Sequence, residues 1–379
     1  MTSEIEDERT FIATRPLLKN AQVITLVENV FGLQVSTVTS LPSYDDQNFY
    51  VQTQSNGTSS GNEYVLKIMN AESSKQTELI EVQTHVMKFL HEKGLPTPNP
   101  IFTKTGRIMS LEAIDYGDKV HNHMVRLLTY LPGTPAANIS ATPEILFDIG
   151  RMAAIVDEKI TKKFQHPYKQ HLDRGEYIWN LSNTPLLRKY IYAVTEHSLH
   201  ERIEVVISQY ETSVQQNLKS FRRCINHGDF NDHNILLQKN NGPDENTKQQ
   251  YHVSGILDFG DMSSGYYVFE VAITIMYMMI ESKDPLLVGG YVLAGFESII
   301  PLTREEKEAL FTLVCCRFAQ SLVMARYSVL LCPENEEYLM VTAKTGWKHL
   351  ITLLDMGKEA VGKIWEQTAR SYHDKIHQA

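Results

Sequence analysis

The chain is poor in cysteine and has no excess of positive charge. Its 379 residues include four cysteines, none of them in a Cys-x-x-Cys pair, so the sequence predicts neither a disulfide framework nor a zinc site. The formal net charge of -9 argues against a nucleic-acid-binding protein, whose affinity depends on basic patches. An acidic protein instead favours, by a small electrostatic term, a cationic small molecule as its partner.

Long apolar segments are also missing. The first ten residues, MTSEIEDERT, are acidic and lack the apolar core of a signal peptide. The longest apolar run, Val268 to Ile280, is interrupted by Glu270 and is shorter than the ~20 residues that a membrane-spanning helix needs. We therefore predict a buried helix in this segment, no membrane association and a cytoplasmic protein.

The first 131 residues predict a small α+β lobe. Apolar positions at helical spacing and short alternating stretches, separated by turn-rich segments, indicate both helices and antiparallel strands. The predicted helices run from about Pro16 to Phe31 and from about Thr77 to Glu92, and the predicted strands cover Leu33–Val38, Phe49–Thr53, Tyr64–Met69, Arg107–Glu112 and His123–Tyr130. The turn-rich residues between the second and third strands are typical of a hairpin.

The rest of the chain predicts a larger, mainly helical lobe. Leu131 to Pro135 (LPGTP) is typical of a hinge or linker. Thr142 followed by Pro143 is a good helix start, because threonine caps the first turn and proline suits its first position. The polar run from Lys239 to Gln250 predicts a surface loop between two short strands. We expect two domains, residues 1–131 and 132–379.

Two clusters of polar residues lie on either side of that polar run. They are Asn226–Asn234 (NHGDFNDHN) and Gly255–Asp261 (GILDFGD), each next to a short apolar run. Phosphoryl transfer needs a carboxylate that orients the attacking hydroxyl, and oxygen ligands for Mg²⁺. Asp229 fits the first role, and Asn234 and Asp258 fit the second. Their order matches the kinase pattern H-x-D-x-x-x-x-N followed by D-F-G.

A lysine in the third predicted strand completes this pattern. Lys67 lies in the sequence VLKI, which resembles the V-A-I-K strand whose lysine binds the α- and β-phosphates. Glu81, in the following helix, is the predicted partner of this lysine. His227 is predicted to support the loop that carries Asp229. The segment Leu41–Phe49 stands where a phosphate-covering loop is expected but contains no glycine, so an ordinary turn is an equal alternative.

Other interpretations of the polar clusters remain open from the residues alone. An aspartate in a loop is commonly a turn former or a helix cap. His227, Asp229, Asp232 and His233 also suit a metal-dependent hydrolase, although such a site would need further histidines and would leave the D-F-G element unexplained. Asp261 and Glu270 suit either support of the metal-binding loop or contact with a cationic substrate.

These motifs resemble the aminoglycoside phosphotransferase and choline-kinase-like family. Its pattern H-G-D-x-x-x-x-N followed by I-D-F-G-D is similar to residues 227–234 and 257–261, although position 257 is leucine here. Protein kinases are less similar, because they have arginine where this chain has Gly228 and they carry an A-P-E element. The resemblance implies a two-lobed kinase-like fold, Mg²⁺, a nucleotide donor and a small-molecule acceptor. It also implies that backbone groups of Tyr130 and Leu131, in the hinge, contact the purine.

The chain also resembles one branch of this family more closely, over longer stretches. They include Leu41–Phe49, Arg126–Gly133, Ile225–Leu236, Gly255–Ile280 and Tyr338–Leu350. This closer resemblance implies 5-hydroxylysine as the acceptor and GTP as the donor, with ATP as the alternative donor. Other acceptors remain open, namely choline, ethanolamine, homoserine or a sugar alcohol. A catalytically inactive pseudokinase that serves as a binding module is a further alternative. No protein partner, nucleic acid or membrane is expected.

Overall fold

The computed structural model describes residues 14–43, 45–54, 61–117, 119–240, 251–331, 333, 340 and 342–377. The chain divides into two compact units. Unit 1 consists of Met1–Leu131 and Gln165–His171, and unit 2 consists of Pro132–Phe164 and Leu172–Ala379. The predicted loops fall largely outside the described residues, since 55–60 and 241–250 are not among them.

Unit 1 is built around an antiparallel sheet of six strands. Its elements are α1 (Asn20–Phe31), β1 (Val35–Leu41), β2 (Gln47–Thr53), β3 (Glu63–Ile68), α2 (Ala71–Ser74), α3 (Thr77–Glu92), β4 (Pro100–Ile101), β5 (Ser110–Asp115) and β6 (Val120–Thr129). The strand order is β1-β2-β3-β6-β4, and β5 also pairs with β6. In β3 the buried residues Tyr64, Leu66 and Ile68 alternate with half-buried ones, so Lys67 lies on the opposite face of the sheet.

The first helix begins later than the pattern predicts. Residues 16–19 are not helical, and Lys19 has an extended backbone at the N-cap of α1. The reason is visible at Leu18, whose N–H and C=O both bond to the side-chain amide of Gln47, at 2.8 Å and 3.0 Å. These backbone groups are therefore used across the sheet and not within a helical turn. Helix α1 ends as predicted, with Gly32 in the left-handed conformation at φ 72°.

The β5 strand is also displaced from its predicted position. The sequence predicts a strand from Arg107, whereas β5 begins at Ser110. Arg107 closes a turn, because its N–H donates to Thr103 Oγ1 at 3.1 Å and its C=O accepts from the Thr103 N–H at 2.8 Å. A local side-chain bond thus competes with strand pairing.

Unit 2 is mainly helical and contains two small sheets. Its strands are β7 (Thr134–Pro135), β8 (Arg223–Asn226), β9 (Ile235–Lys239), β10 (Tyr251–Ile256) and β11 (Ser263–Tyr266), and its α-helices are α4 (Pro143–Lys163), α5 (His197–Gln209), α6 (Tyr267–Ile280), α7 (Pro285–Glu297), α8 (Arg304–Leu331), α9 (Ala343–Met356) and α10 (Lys358–His377). The sheets have the orders β10-β9-β7 and β11-β8. Thr142 caps α4 as predicted, with Pro143 at its first position. The antiparallel sheet of unit 1 and the helical unit 2 agree with the predicted α+β fold class.

The strands of unit 2 bring the two polar clusters to adjacent positions. The residues after β8 and the residues after β10 are held by the pairing of β8 with β11 and of β9 with β10. The N–H of Leu257 donates to Asn234 O at 2.8 Å, which ties the end of one cluster to the start of the other. The sequence clusters therefore form one site in space.

Helices α6 and α8 of unit 2 contain long apolar stretches. As predicted, α6 is a buried helix, and all of its residues except Tyr277 are buried. Helix α8 is by length and composition capable of crossing a membrane, but 83% of its apolar window is buried inside the protein. Such burial is typical of a core helix, and α8 supplies the centre of unit 2.

Candidate active site

The site is centred on Asp229, in the loop between β8 and β9. Its Oδ2 atom accepts hydrogen bonds from Asn231 Nδ2 at 2.8 Å and from Asn234 Nδ2 at 2.9 Å. Asn231 Oδ1 accepts from the N–H groups of His233 and Asn234, at 2.9 Å and 2.8 Å, which gives the loop its turn. The amide nitrogen of Asn234 is thus directed to Asp229, and its amide oxygen takes no part in these bonds.

Two residues hold this loop from behind. His227 Nδ1 accepts the N–H of Asp229 at 3.3 Å, so the ring donates through Nε2 to Leu257 O at 3.0 Å. Gly228 has φ 84°, and a Cβ atom there would lie 2.5 Å from the backbone oxygen of Asp261. Both facts require glycine at this position. They explain physically why arginine, the protein-kinase residue, is not present.

A buried pair of carboxyl groups lies beneath the loop. Glu270 is fully buried, and both of its oxygens accept the N–H of Gly228, at 3.3 Å and 3.1 Å. Asp157 in α4 is also fully buried and accepts Asn226 Nδ2 at 2.8 Å. Burial and the neighbouring Glu270 carboxyl hold the pKa of Asp157 well above its ordinary value. Glu270 therefore supports the backbone of the loop that carries Asp229.

Arg317 in α8 contributes a charge that sequence motifs do not indicate. Its guanidinium is 1% exposed and lies 3.1 Å from Asp229 Oδ1. It also donates to Gly228 O at 3.2 Å and to Trp179 O at 3.1 Å. Burial and the nearby Asp261 carboxylate raise the pKa of Asp229 to about 7, against the lowering effect of Arg317. The pKa of the carboxyl that is predicted to act as the base is thus close to physiological pH.

Asp258 lies in a strained backbone conformation. Its φ of 53° is in the left-handed region, and among the described residues it is the non-glycine residue with positive φ. Its Oδ1 accepts the N–H of Gly260 at 3.2 Å. Strained backbone of this kind persists where the surrounding structure fixes the residue, and it is common at functional sites.

Asp261, the last residue of the second cluster, is bound by a segment that lies outside the sequence motifs. Tyr177 donates its hydroxyl to Asp261 Oδ1 at 2.5 Å. Arg174 donates to Gly260 O at 2.9 Å, and its guanidinium lies 3.4 Å from the centre of the Tyr177 ring. Asn180 donates to Ser264 O at 2.8 Å. Residues 174–180 therefore hold residues 260–264 in place.

Lys67 and Glu81 belong to unit 1. Lys67 Nζ forms an ion pair with Asp46 Oδ2 at 3.1 Å, and both side chains are mostly shielded from solvent. Asp46 Oδ1 accepts the N–H of Asn70 at 2.9 Å. Glu81 lies on α3 beside His85 and His166, and the ligand atoms of these three residues are within 4.8 Å of one another. Asp46 is a partner of Lys67 that the sequence did not indicate.

The segment at the end of β6 carries the residues predicted to contact a purine. The N–H of Tyr130 donates to Glu63 O at 3.1 Å, so within unit 1 this donor is already used. The Tyr130 ring packs edge-on against Tyr50, with ring centres 5.3 Å apart. The C=O of Tyr130 and the backbone of Leu131 are the remaining groups for the predicted contact.

A model of the phosphotransferase enzyme family matches residues 37–307. The chain is 63% identical over 358 residues to the hydroxylysine kinase of Xenopus laevis, covering 94% of this chain and 96% of that protein. It is 55% identical over 365 residues to the hydroxylysine kinase of Bos taurus, covering 96% of each.

Solved structures are similar in fold. An amicoumacin kinase in complex with AMP-PNP and Ca²⁺ has a TM-score of 0.61 at 14% identity, covering 92% of this chain and 96% of that one. A choline kinase from Cryptosporidium parvum has a TM-score of 0.56 at 13% identity, covering 89% and 96%.

The chain therefore belongs to the phosphotransferase enzyme family, and the predicted kinase-like fold is confirmed. It is a phosphotransferase whose acceptor is an alcohol group, as predicted. Within the family, it is similar over nearly its whole length to the vertebrate proteins named above.

Proposed function

We propose that this enzyme transfers the γ-phosphoryl group of GTP to the hydroxyl of 5-hydroxy-L-lysine. The product would be 5-phosphohydroxylysine, in the breakdown of lysine and hydroxylysine. The observation that carries the proposal is the 63% identity to a hydroxylysine kinase over 94% of this chain. An acidic protein with a net charge of -9 also suits an acceptor that bears two ammonium groups. GTP as donor and a cytoplasmic location are further parts of this proposal.

Asp229 is proposed as the catalytic residue. In this role it accepts a hydrogen bond from the acceptor hydroxyl, orients it toward the γ-phosphorus and takes its proton as the bond to phosphorus forms. A pKa near neutrality suits this task, since the group is then a competent base at physiological pH. His227 supports the backbone of Asp229 from behind the loop.

A divalent metal ion, Mg²⁺ in our proposal, fits the oxygen atoms of Asn234 and Asp258. Magnesium prefers carboxylate and amide oxygens. The bonds of Asn234 Nδ2 to Asp229 leave the amide oxygen of Asn234 for a metal, and the strained backbone of Asp258 supports a functional role for its carboxylate. When bound, the ion would neutralise charge on the β- and γ-phosphates.

Nucleotide binding is assigned to residues of unit 1 and the adjoining segment. Lys67 would bind the α- and β-phosphates, and its ion pair with Asp46 holds the ammonium group in place. Glu81 is the proposed support for Lys67. The C=O of Tyr130 and the backbone of Leu131 would contact the purine.

The first test is an assay of nucleoside diphosphate release in the presence of Mg²⁺. GTP and ATP are each supplied with 5-hydroxylysine, lysine, choline, ethanolamine, homoserine or no acceptor. Turnover with 5-hydroxylysine but not lysine is expected, because only the former carries the acceptor hydroxyl. Turnover with a different acceptor alone would refute the substrate assignment and leave the phosphotransferase site intact. No turnover from folded protein would favour a pseudokinase.

The role of Asp229 has its own test. Asp229→Asn has nearly the same size as the wild-type side chain but cannot accept the proton, so kcat should fall by about 10²–10⁴-fold. Binding of the nucleotide, measured by equilibrium titration, should change little. A variant that retains more than a few per cent of wild-type kcat would contradict the assignment of Asp229 as base.

A further inference from the structure

We propose that Arg317 is a positioning residue for phosphoryl transfer, and that it holds the Asp229 carboxylate so that Oδ1 faces the acceptor hydroxyl. The inference rests on the proposed role of Asp229 as base, but not on which alcohol is the acceptor. It adds to the site a residue 88 positions away in the chain, on a different element.

The guanidinium of Arg317 is fixed from several sides. It donates to the backbone oxygens of Trp179 and Gly228, at 3.1 Å and 3.2 Å, and to Asp229 Oδ1 at 3.1 Å. The rings of Trp179 and Tyr277 lie 5.0 Å and 5.2 Å from its central carbon. A planar guanidinium with fixed donors can bridge such a set of oxygens, whereas a lysine ammonium cannot match its geometry.

A buried charge of this kind is costly as a purely structural element. Arg317 is 1% exposed in the core helix α8, where an apolar residue of similar size would avoid the loss of hydration. Its anionic partner is Asp229, which faces the carboxylates of Asp258 and Asp261 as well. The positive charge of Arg317 therefore offsets the repulsion between Asp229 and these two carboxylates. Asp229 is the carboxylate that must approach the reacting hydroxyl.

The hydrogen bonds of Asp229 fix the orientation of its carboxylate and thereby the direction of one lone pair on Oδ1. Each oxygen of a carboxylate has two lone-pair positions. Both positions on Oδ2 are taken by the side-chain amides of Asn231 and Asn234, whereas Oδ1 accepts a hydrogen bond from Arg317. The second lone pair of Oδ1 is then the position for the acceptor hydroxyl. Without Arg317 the two amide bonds at Oδ2 remain, but no side chain fixes Oδ1, so the carboxylate is held less firmly about its χ2 bond.

The first experiment compares Arg317→Met with a matched control on the same helix. Gln320, one turn further along α8, donates to Ile178 O and Asn180 O, at 2.8 Å and 3.2 Å, and so holds the same segment as Arg317 without contacting Asp229. Arg317→Met should lower kcat by about 10²-fold, as expected for a misplaced catalytic group. The KM for nucleotide should stay within about threefold, and Gln320→Met should retain most of the wild-type kcat.

Equal loss of kcat in both variants would overturn the proposal, because the effect would then come from loosening residues 178–180. A retained kcat in Arg317→Met would overturn it as well. Thermal melting of each purified variant separates these outcomes from unfolding. If Arg317→Met does not fold, Arg317→Lys takes its place, with an expected loss of kcat of at least about tenfold, since lysine cannot bridge the same oxygens.

A double-mutant cycle gives the readout that a structural role would not produce. If Arg317 acts through Asp229, Arg317→Met should change kcat by less than about threefold in an Asp229→Asn background. A further loss of about tenfold or more in that background would overturn the proposal. The cycle is run with whichever alcohol the wild-type enzyme phosphorylates, so failure of 5-hydroxylysine as acceptor does not affect the comparison.

Discussion

The carboxylates of the site differ in their surroundings, although they lie close together. Asp229 has a guanidinium and two amides as donors, Asp261 has a tyrosine hydroxyl, and Asp157 lies beneath them in a fully buried position. Burial raises the pKa of both Asp157 and Asp229, and at Asp229 the nearby guanidinium of Arg317 opposes this rise. Each carboxyl can then have a separate task.

The first prediction concerns Asp157, whose raised pKa indicates a protonated carboxyl beside Glu270. The folded state keeps this proton at pH values where the unfolded chain releases it, so this carboxyl lowers the stability of the fold as pH rises above 3.8, the ordinary pKa of an aspartate. Asp157→Asn has the shape of the protonated acid and cannot ionise. Its free energy of unfolding at pH 8, from urea denaturation, should equal or exceed that of the wild type.

Asp148, on the same helix α4, is the matched control. Its Oδ1 accepts Arg151 Nη2 at 2.6 Å and its Oδ2 accepts the N–H of Val253 at 3.1 Å, so both oxygens are acceptors. Asp148→Asn would place its amide N–H against another donor, and its free energy of unfolding should be lower than that of the wild type by about 1–3 kcal/mol. If Asp157→Asn loses as much as Asp148→Asn, then Asp157 is ionised in the folded protein.

The local motifs predicted part of the site. Short patterns that match kinase motifs contain Lys67, Asp229, Asn234 and Asp258. Their proposed roles remain predictions, although the structure brings Asp229 and Asn234 into contact. Arg317 could not be predicted in this way, because it reaches Asp229 from a distant helix and no periodic pattern marks a buried arginine in advance. Asp46, Asp157 and Tyr177 were missed for the same reason.

At the scale of whole elements, α4 and α7 pack closely through small residues. A Cβ atom on Gly150 of α4 would lie 2.1 Å from Val292 O, and one on Gly295 of α7 would lie 1.9 Å from Phe147 O. Both distances are to backbone atoms, which cannot move as a side chain can. The contact therefore depends on glycine in both helices.

Gly295→Ala should accordingly destabilise the protein by about 2–3 kcal/mol through overpacking. Gly362 in α10 is the control, since a Cβ atom there has nothing within 4 Å. Gly362→Ala should be neutral or stabilise by up to about 1 kcal/mol, because alanine favours the helix. Chemical denaturation of the two variants measures both effects. Similar stabilities for the two variants would contradict the close packing.

His123 predicts how stability depends on pH. It is fully buried in β6, its Nδ1 lies 2.7 Å from Met69 O, and burial lowers its pKa. The unfolded chain therefore binds a proton more readily, and stability falls as pH drops below the ordinary histidine value of about 6.5. Melting temperature should decline between pH 7.5 and pH 5. His123→Gln should decline less steeply over this range, and an identical slope would rule out His123 as a source of the effect.

Helix and strand limits were predictable where local signals agreed. Helix α3 runs from Thr77 to Glu92, as its apolar spacing and the following glycine predict. The start of α1 was wrong by about four residues, because the backbone of Leu18 bonds to Gln47 on another element. The start of β5 was wrong because a threonine side chain closes a turn at Arg107. In both cases a tertiary or side-chain bond replaced a local preference.

For the molecule as a whole, binding of nucleotide should be coupled to stability. A ligand that binds only the folded state stabilises it by about 2.7 kcal/mol at 100 times its Kd. GTP with Mg²⁺ should therefore raise the melting temperature of the wild type more than GTP alone. In Asn234→Ala the rise in melting temperature that depends on Mg²⁺ should be lost, and the rise caused by GTP alone should remain. An undiminished effect of Mg²⁺ in this variant would exclude Asn234 as a metal ligand.

The left-handed backbone of Asp258 has a consequence for laboratory evolution of this enzyme. A non-glycine residue at φ 53° costs about 1–2 kcal/mol, and glycine at the same position would remove that cost. Glycine would also remove the carboxylate. A library screened for heat resistance alone would therefore enrich a substitution that removes the proposed metal ligand, and any stabilisation campaign on this chain needs a catalytic readout in every round.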